Sequence, residues 1–118
     1  MAMLAGHWLL RGYGQWALEE KASGTFVGRV GLYYPDGWPG REVGWTLGRD
    51  HWGKGYATEG GRAAVRYAFD TLGWDHIISV IHPENRRSIC VAERLGMRYE
   101  RGAEVRDGLG VSVYGRDR

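Results

Sequence analysis

His76 to His82 carries Ile77, Ile78, Val80 and Ile81 with almost no alternation of apolar and polar positions. A strand patterned this way is buried on both faces, so it belongs in the middle of a covered sheet. Helical patterns flank it. Ala57 to Leu72 sets Ala64, Val65, Ala68, Phe69 and Leu72 on one face and stops at Gly73. After Pro83, Asn85 stands as an N-cap, Ile89, Ala92 and Leu95 form an apolar stripe, and Gly96 is the stop. The buried strand is expected to run parallel to the strand that precedes the first of these helices.

The remaining segments fit around that centre. Strands are expected at Gln15 to Lys21, Thr25 to Tyr34 and Arg41 to Leu47, joined by short turns into an antiparallel meander. Met97 to Val105 and Val111 to Arg116 form a hairpin around Asp107-Gly108, a dipeptide suited to positive φ. Met1 to Arg11 reads as a helix ending at Gly12, with nothing ahead of it to cap its first turn, so it resembles the tail of a longer helix. At 118 residues the chain is read as one domain, an α+β sandwich around a mixed sheet.

Charge and composition exclude several functions. Sixteen basic and 14 acidic side chains are scattered along the chain and leave a net charge of +2, with no block of one sign to grip nucleic acid or anionic lipid. No stretch approaches the roughly 20 apolar residues of a membrane span. Met1 to Leu10 lacks a basic leader and a small-residue cleavage site, so a soluble, unexported, cytoplasmic protein is expected. Cys90 excludes an internal disulfide and is expected as a packed core thiol.

Chemistry concentrates between the third strand and the first central helix. In Trp52-Gly53-Lys54-Gly55-Tyr56-Ala57-Thr58 the small residues let backbone N–H groups converge on an anion at a helix start, and Lys54 adds a cation at the rim. A short Gly-x-Gly taken alone is more often an ordinary glycine turn. Gly48 to Lys54 also fits Gly-x-x-x-x-Gly-Lys, but Gly55 follows where a magnesium-binding Ser or Thr is required, and the strand ending at His82 lacks a terminal Asp. Both departures argue against an NTPase, and no metal site is expected.

Trp52 to Ala57 resembles the pyrophosphate loop of GNAT-superfamily N-acetyltransferases, with Gly55 and Ala57 in the two small positions and Trp52 where Gln or Arg is usual. Glu42-Val43-Gly44-Trp45-Thr46-Leu47, Tyr56-Ala57-Thr58-Glu59, Asn85-Arg86-Arg87-Ser88 and Glu93-Arg94-Leu95-Gly96-Met97 resemble the Rim-type, ribosomal-protein N-acetyltransferase branch. The resemblance implies an α/β/α sandwich whose mostly antiparallel sheet splays between the strands at 41–47 and 76–82. It also implies acetyl-CoA as cosubstrate, in a slot formed by Trp45, Thr46, Leu47, Trp52, Gly53, Lys54, Gly55, Tyr56, Ala57, Thr58, Asn85 and Ser88.

Acetyl transfer to an amine needs a base, a donor for the oxygen of the tetrahedral intermediate and a proton for the leaving thiolate. The resemblance points to Glu42 as base, against the alternative of a solvated strand glutamate, and to Ser88 on the thiol side, against a simple capping role. Asn85 either caps its helix alone or also reaches the cosubstrate. Gly44 suggests a bulge beside the slot or packing under Trp45. The branch usually begins with a further strand and helix, so an N-terminally shortened acyltransferase domain is expected. The acceptor is a small-molecule amine or a protein N-terminus. The alternative is a non-catalytic acyl-CoA-binding domain completed by a partner, including a homodimer formed at an exposed sheet edge.

Overall fold

A computed structural model describes residues 14–20, 22–35, 37–105 and 108–118. The helix expected over 1–11, and the tip of the Asp107-Gly108 turn at Asp107, lie outside the described residues. The strands are β1 (Gln15–Glu19), β2 (Phe26–Tyr33), β3 (Glu42–Leu47), β4 (His76–Ile81), β5 (Arg98–Val105) and β6 (Leu109–Asp117). The helices are α1 (Tyr56–Arg66), between β3 and β4, and α2 (Arg86–Arg94), between β4 and β5. One six-stranded sheet has the order β1-β2-β3-β4-β6-β5. All its neighbours are antiparallel except β3 and β4.

The unalternated strand sits at the centre as its pattern requires, with Ile77, Ile78 and Ile81 buried. It pairs along its whole length with β6, from His76↔Asp117 to Ile81↔Ser112. With β3 it shares a single pair, Glu42↔Ile78, beyond which the two strands part. The expected splay is therefore present, and the chain has a mixed α+β fold of the expected kind.

Both helices contribute to one apolar cluster over the sheet, in which Ala64, Val65, Ala68 and Phe69 meet Ala92, Leu95, Ile77 and Ile81. Glycines permit this closeness: a Cβ at Gly60 would stand 3.0 Å from Val30, and one at Gly61 would stand 2.7 Å from Leu95. The helical pattern expected to Leu72 changes hand-hold near its end. Residues Tyr67–Thr71 widen into a π turn in which Leu72 N–H donates to the Tyr67 carbonyl at 3.0 Å. Among the described residues no helix is long and apolar enough to cross a membrane.

Two expectations need correction. Gly44 forms no bulge: it lies opposite Gly31 in an unbroken β2–β3 register, and irregular pairing occurs instead at Leu18/Glu19 and Tyr99/Arg101. Cys90 is exposed, because the inward stripe of α2 runs through Ile89, Ala92 and Leu95 and one residue's rotation carries Cys90 off it.

The sheet requires glycine at two β2 positions: a Cβ at Gly28 would stand 2.1 Å from the Thr46 carbonyl oxygen, and one at Gly31 would stand 2.4 Å from Gln15 Cα and 2.5 Å from the Gly14 carbonyl oxygen. At Gly44 the nearest contact would be the Glu42 carboxyl at 3.9 Å. Gly31→Ala should therefore destabilise the fold by about 2 kcal/mol or more through forced separation of β1 and β2, and Gly44→Ala should stay within about 1 kcal/mol of the parent. Urea unfolding of both variants checks this; equal losses would contradict the assignment.

Candidate active site

β3 runs directly into the glycine loop. Gly48 N–H donates to the Val27 carbonyl at 2.9 Å, a 3₁₀ turn covers Arg49–His51, and Trp52 Nε1 donates to the Leu47 carbonyl at 3.2 Å. Gly53 (φ 80°) and Gly55 (φ 77°) then adopt left-handed backbone that other residues resist, and Gly55 is the N-cap of α1. A Cβ at either glycine would meet no protein atom within 4 Å, so conformation, not crowding, demands glycine here. The first intrahelical bond comes from Glu59 N–H to the Gly55 carbonyl, which leaves the amides of Tyr56, Ala57 and Thr58 without helical acceptors. These amides and the helix dipole favour an anion at this mouth.

A cleft of about 600 Å³ opens in front of the loop, bounded by the end of β3, the start of α1 and one side of α2. Of the residues expected to hold the cosubstrate, Trp45, Thr46, Leu47, Trp52, Gly53, Gly55, Tyr56, Ala57, Thr58, Asn85 and Ser88 all line it. Lys54 does not. Its Nζ lies 3.7 Å from Glu20 Oε2, the same oxygen that accepts a hydrogen bond from the Tyr56 hydroxyl. Glu20, at the end of β1, thus ties down both residues that bracket Gly55, and its carboxyl is held below its usual pKa, first by the Tyr56 and Ser23 hydrogen bonds. The contact spans 36 residues, and no local motif at Glu20 announces it.

The wall opposite the loop is α2. Asn85 Oδ1 accepts from Ser88 N–H at 3.2 Å, so the capping role is realised. Ser88 Oγ accepts from Trp45 Nε1 at 3.2 Å, which fixes the indole across the cleft and leaves the hydroxyl proton to donate. Arg87 lies 4.1 Å from the ring centroid of Trp52, with Arg49 at 5.5 Å. Cys90, on the exposed side of the same helix, also lines the cleft.

Where β3 and β4 part, side chains replace the missing ladder. Ser79 Oγ donates to the Val43 carbonyl at 2.6 Å, and Val80 N–H donates to Glu42 Oε2 at 2.7 Å. With Val43's carbonyl turned toward β4, strand alternation turns the main-chain groups of Trp45 into the same gap. The Leu47 carbonyl is engaged by Trp52 Nε1.

Glu42 is no solvated strand residue: it is 8% exposed. Burial pushes its pKa up to about 7, against the lowering effect of hydrogen bonds from Val80 N–H and Trp38 Nε1. Trp38 donates to Oε1 at 3.0 Å from the turn four residues earlier, a partner that the sequence reading left unassigned. Glu42 and Ser88 line a second cavity of about 250 Å³, which shares Trp45, Thr46 and Ser88 with the larger cleft. The two candidate catalytic groups therefore flank one continuous space. Among the described residues no cluster of His, Cys, Asp and Glu is arranged to hold a metal ion.

Comparisons with known proteins define the family of the chain. A family model described as an acetyltransferase (GNAT) domain matches residues 1–98. The protein YkkB of Bacillus subtilis (strain 168) is 37% identical over 95 residues, covering 77% of this chain and 55% of that protein. The N-acetyltransferase p20 of Bacillus licheniformis is 35% identical over 104 residues, covering 85% and 58%. An acetyltransferase structure from Agrobacterium tumefaciens str. C58 superimposes with a TM-score of 0.85 at 32% identity, covering 95% of this chain and 65% of that one. The architecture is thus that of an acetyltransferase domain. The chain belongs to the GNAT acetyltransferase family, and it spans somewhat over half the length of the curated relatives it matches.

The raised pKa of Glu42 has a stability signature. A carboxyl whose folded value lies near 7, against 4.5 in the unfolded chain, is not penalised below pH 4.5, and the fold loses stability as pH rises through about 7. Glu42→Gln removes this loss. The variant should therefore gain on the parent as pH rises, by on the order of 3 kcal/mol above the folded pKa. Denaturant midpoints of both proteins across this range test it; a constant difference would contradict the buried, raised carboxyl.

Proposed function

We propose that this domain transfers an acetyl group from acetyl-CoA to a primary amine by direct attack within a ternary complex. The observation that carries the reading is the convergence of the free α1 amides, the positive-φ glycines and the β3–β4 gap on one cleft. In this reading the amides of Gly53 to Thr58 hold the diphosphate of the cosubstrate. Trp45, Thr46 and Leu47 flank its pantetheine arm, and Lys54 contributes charge at the rim from its place beside Glu20.

Glu42, at the apex of the gap, accepts the proton of the incoming ammonium; a carboxyl near pKa 7 is half ionised at neutral pH, which suits a base. The amine nitrogen bonds to the acetyl carbon, the carbon–sulfur bond breaks, and the thiolate takes a proton. The main-chain N–H of Trp45 faces the developing oxyanion, and the Ser88 hydroxyl, oriented by Trp45 Nε1, donates to the departing sulfur. Asn85 shapes this wall by capping α2.

Assignment to the Rim-type branch rests on the motifs at 42–47, 56–59, 85–88 and 93–97, and the acceptor amine belongs to a peptide or protein N-terminus or to a small molecule. A single acyltransferase domain over 1–118 belongs to the same proposal, as does homodimerisation.

Calorimetric titration with CoA should show saturable binding, abolished by Gly55→Val, whose side chain disfavours the left-handed backbone of the N-cap. In a thiol-release assay over a panel of amines and peptides, Glu42→Gln should lower kcat/KM by about 10²-fold or more and remove the acidic limb near pH 7, with CoA affinity unchanged. CoA binding without thiol release from any acceptor would favour the non-catalytic, partner-completed domain instead. No CoA binding at all would overturn both.

A further inference from the structure

The cavity beside Glu42 passes through the sheet. Val30, Leu32 and Val43 belong to the core under the helices, so strand alternation turns Arg29, Gly31 and Tyr33 of β2, with Glu42, Gly44 and Thr46 of β3, to the opposite face. The cavity joins the two sides of the sheet: Trp45 and Ser88 line it from the helical side, and Arg29, Gly31, Glu42 and Gly44 line it from the other. A thioester held in the helical cleft therefore meets its acceptor across this second face.

Among the described residues that line this cavity, Arg29 and Glu42 are the charged ones. Glu42 is held by Trp38 Nε1 and Val80 N–H, whereas Arg29 has no ion-pair or hydrogen-bond partner among the described residues. The floor between them is bare. The β2–β3 register sets Gly31↔Gly44 midway between Arg29↔Thr46 and Tyr33↔Glu42, so two glycines face each other where a sheet ordinarily raises side chains. Crowding by β1 dictates Gly31, but nothing in the fold demands Gly44, where a Cβ would meet no atom nearer than the Glu42 carboxyl at 3.9 Å. A strand glycine that the fold does not need is a mark of close approach by a ligand.

We propose that Arg29 selects the acceptor: the amine that reaches Glu42 carries an anionic group, a carboxylate or a phosphate, which the Arg29 guanidinium binds across the glycine floor. The inference rests on the reading of Glu42 as the base of acyl transfer. The Arg29 and Tyr33 rungs are four strand residues apart, about 13 Å, so the acceptor's nitrogen and its anion lie within that span. The forked donors of arginine match the paired oxygens of such an anion. A polyamine of the same length sets a second cation against Arg29 and is disfavoured. The anion has two sources, a small acidic amine or a peptide with an acidic residue among its first three or four positions, at about 3.3–3.6 Å per extended residue.

Thiol release from acetyl-CoA by the full chain, measured with acceptors in matched pairs, tests this. The small pair is 5-aminopentanoate and its amide, the peptide pair is two tripeptide amides that differ only in Asp or Asn at the third residue, and spermidine is the polycationic control. In one pair the acidic member should have a kcat/KM about tenfold or more above its neutral partner, and the pair that responds identifies the source of the anion. Arg29→Gln should bring that ratio below about twofold through KM, with kcat and CoA affinity unchanged, and Arg29→Lys should restore part of it. Gly44→Ala should raise KM for the same acceptor by narrowing the floor. Turnover of amines without preference for the acidic member, a preference that survives Arg29→Gln, or spermidine as the best acceptor would overturn the anion site and leave the acyl-transfer reading standing. CoA binding with thiol release from no acceptor would remove that reading and the anion site with it.

Discussion

The site depends on the parting of two parallel strands. A β3–β4 ladder continued past Glu42↔Ile78 would zip the gap closed and bury the main-chain groups of Trp45 in the sheet. The divergence is held by two side-chain bonds to backbone, Ser79 Oγ to the Val43 carbonyl and Glu42 Oε2 from Val80 N–H. Each satisfies a polar group that would otherwise be orphaned in the interior, where an unpaired donor or acceptor costs about 1–3 kcal/mol. The strand that the sequence marks as central is therefore the one that opens the slot.

Glu42 serves both demands. Its carboxylate braces the apex of the gap, and the same burial that lets it do so raises its pKa into the range where a proton can be taken up and released at neutral pH. The fold accepts a destabilised ionised group at the place where chemistry is proposed, as buried functional carboxyls commonly require. Glu20 plays a complementary part at the far end of the slot. By holding Tyr56 through its hydroxyl and Lys54 through its ammonium, it fixes the residues on either side of Gly55 and so the direction of the loop amides.

Much of this was legible in the residues. The unalternated run at Ile77 to Ile81 placed the central strand, the helical stripes placed both helices, and the motif spacing gathered nearly every expected slot residue around one cleft. What escaped the sequence was set by tertiary contact. Gly44, expected as a bulge or as packing under Trp45, sits in regular register, and the crowded glycines are Gly28, against β3, and Gly31, against β1. Cys90 looked like a core thiol because its neighbours are apolar, but the phase of α2 turns it outward. Lys54 was expected at the cosubstrate, and its pairing with Glu20 across 34 residues could not be read locally. The braces at Ser79, Trp38 and Val80 join segments whose proximity only the folded sheet defines.

The central claim is that main-chain amides at the start of α1, facing the β3–β4 gap, hold the coenzyme's diphosphate. Amide-resolved NMR during a CoA titration tests it most directly. The largest shift changes are expected at the N–H groups of Gly53, Gly55, Tyr56, Ala57 and Thr58, accompanied by Trp45 in the gap. Changes confined to other surfaces, with these amides unmoved at saturation, would contradict the account.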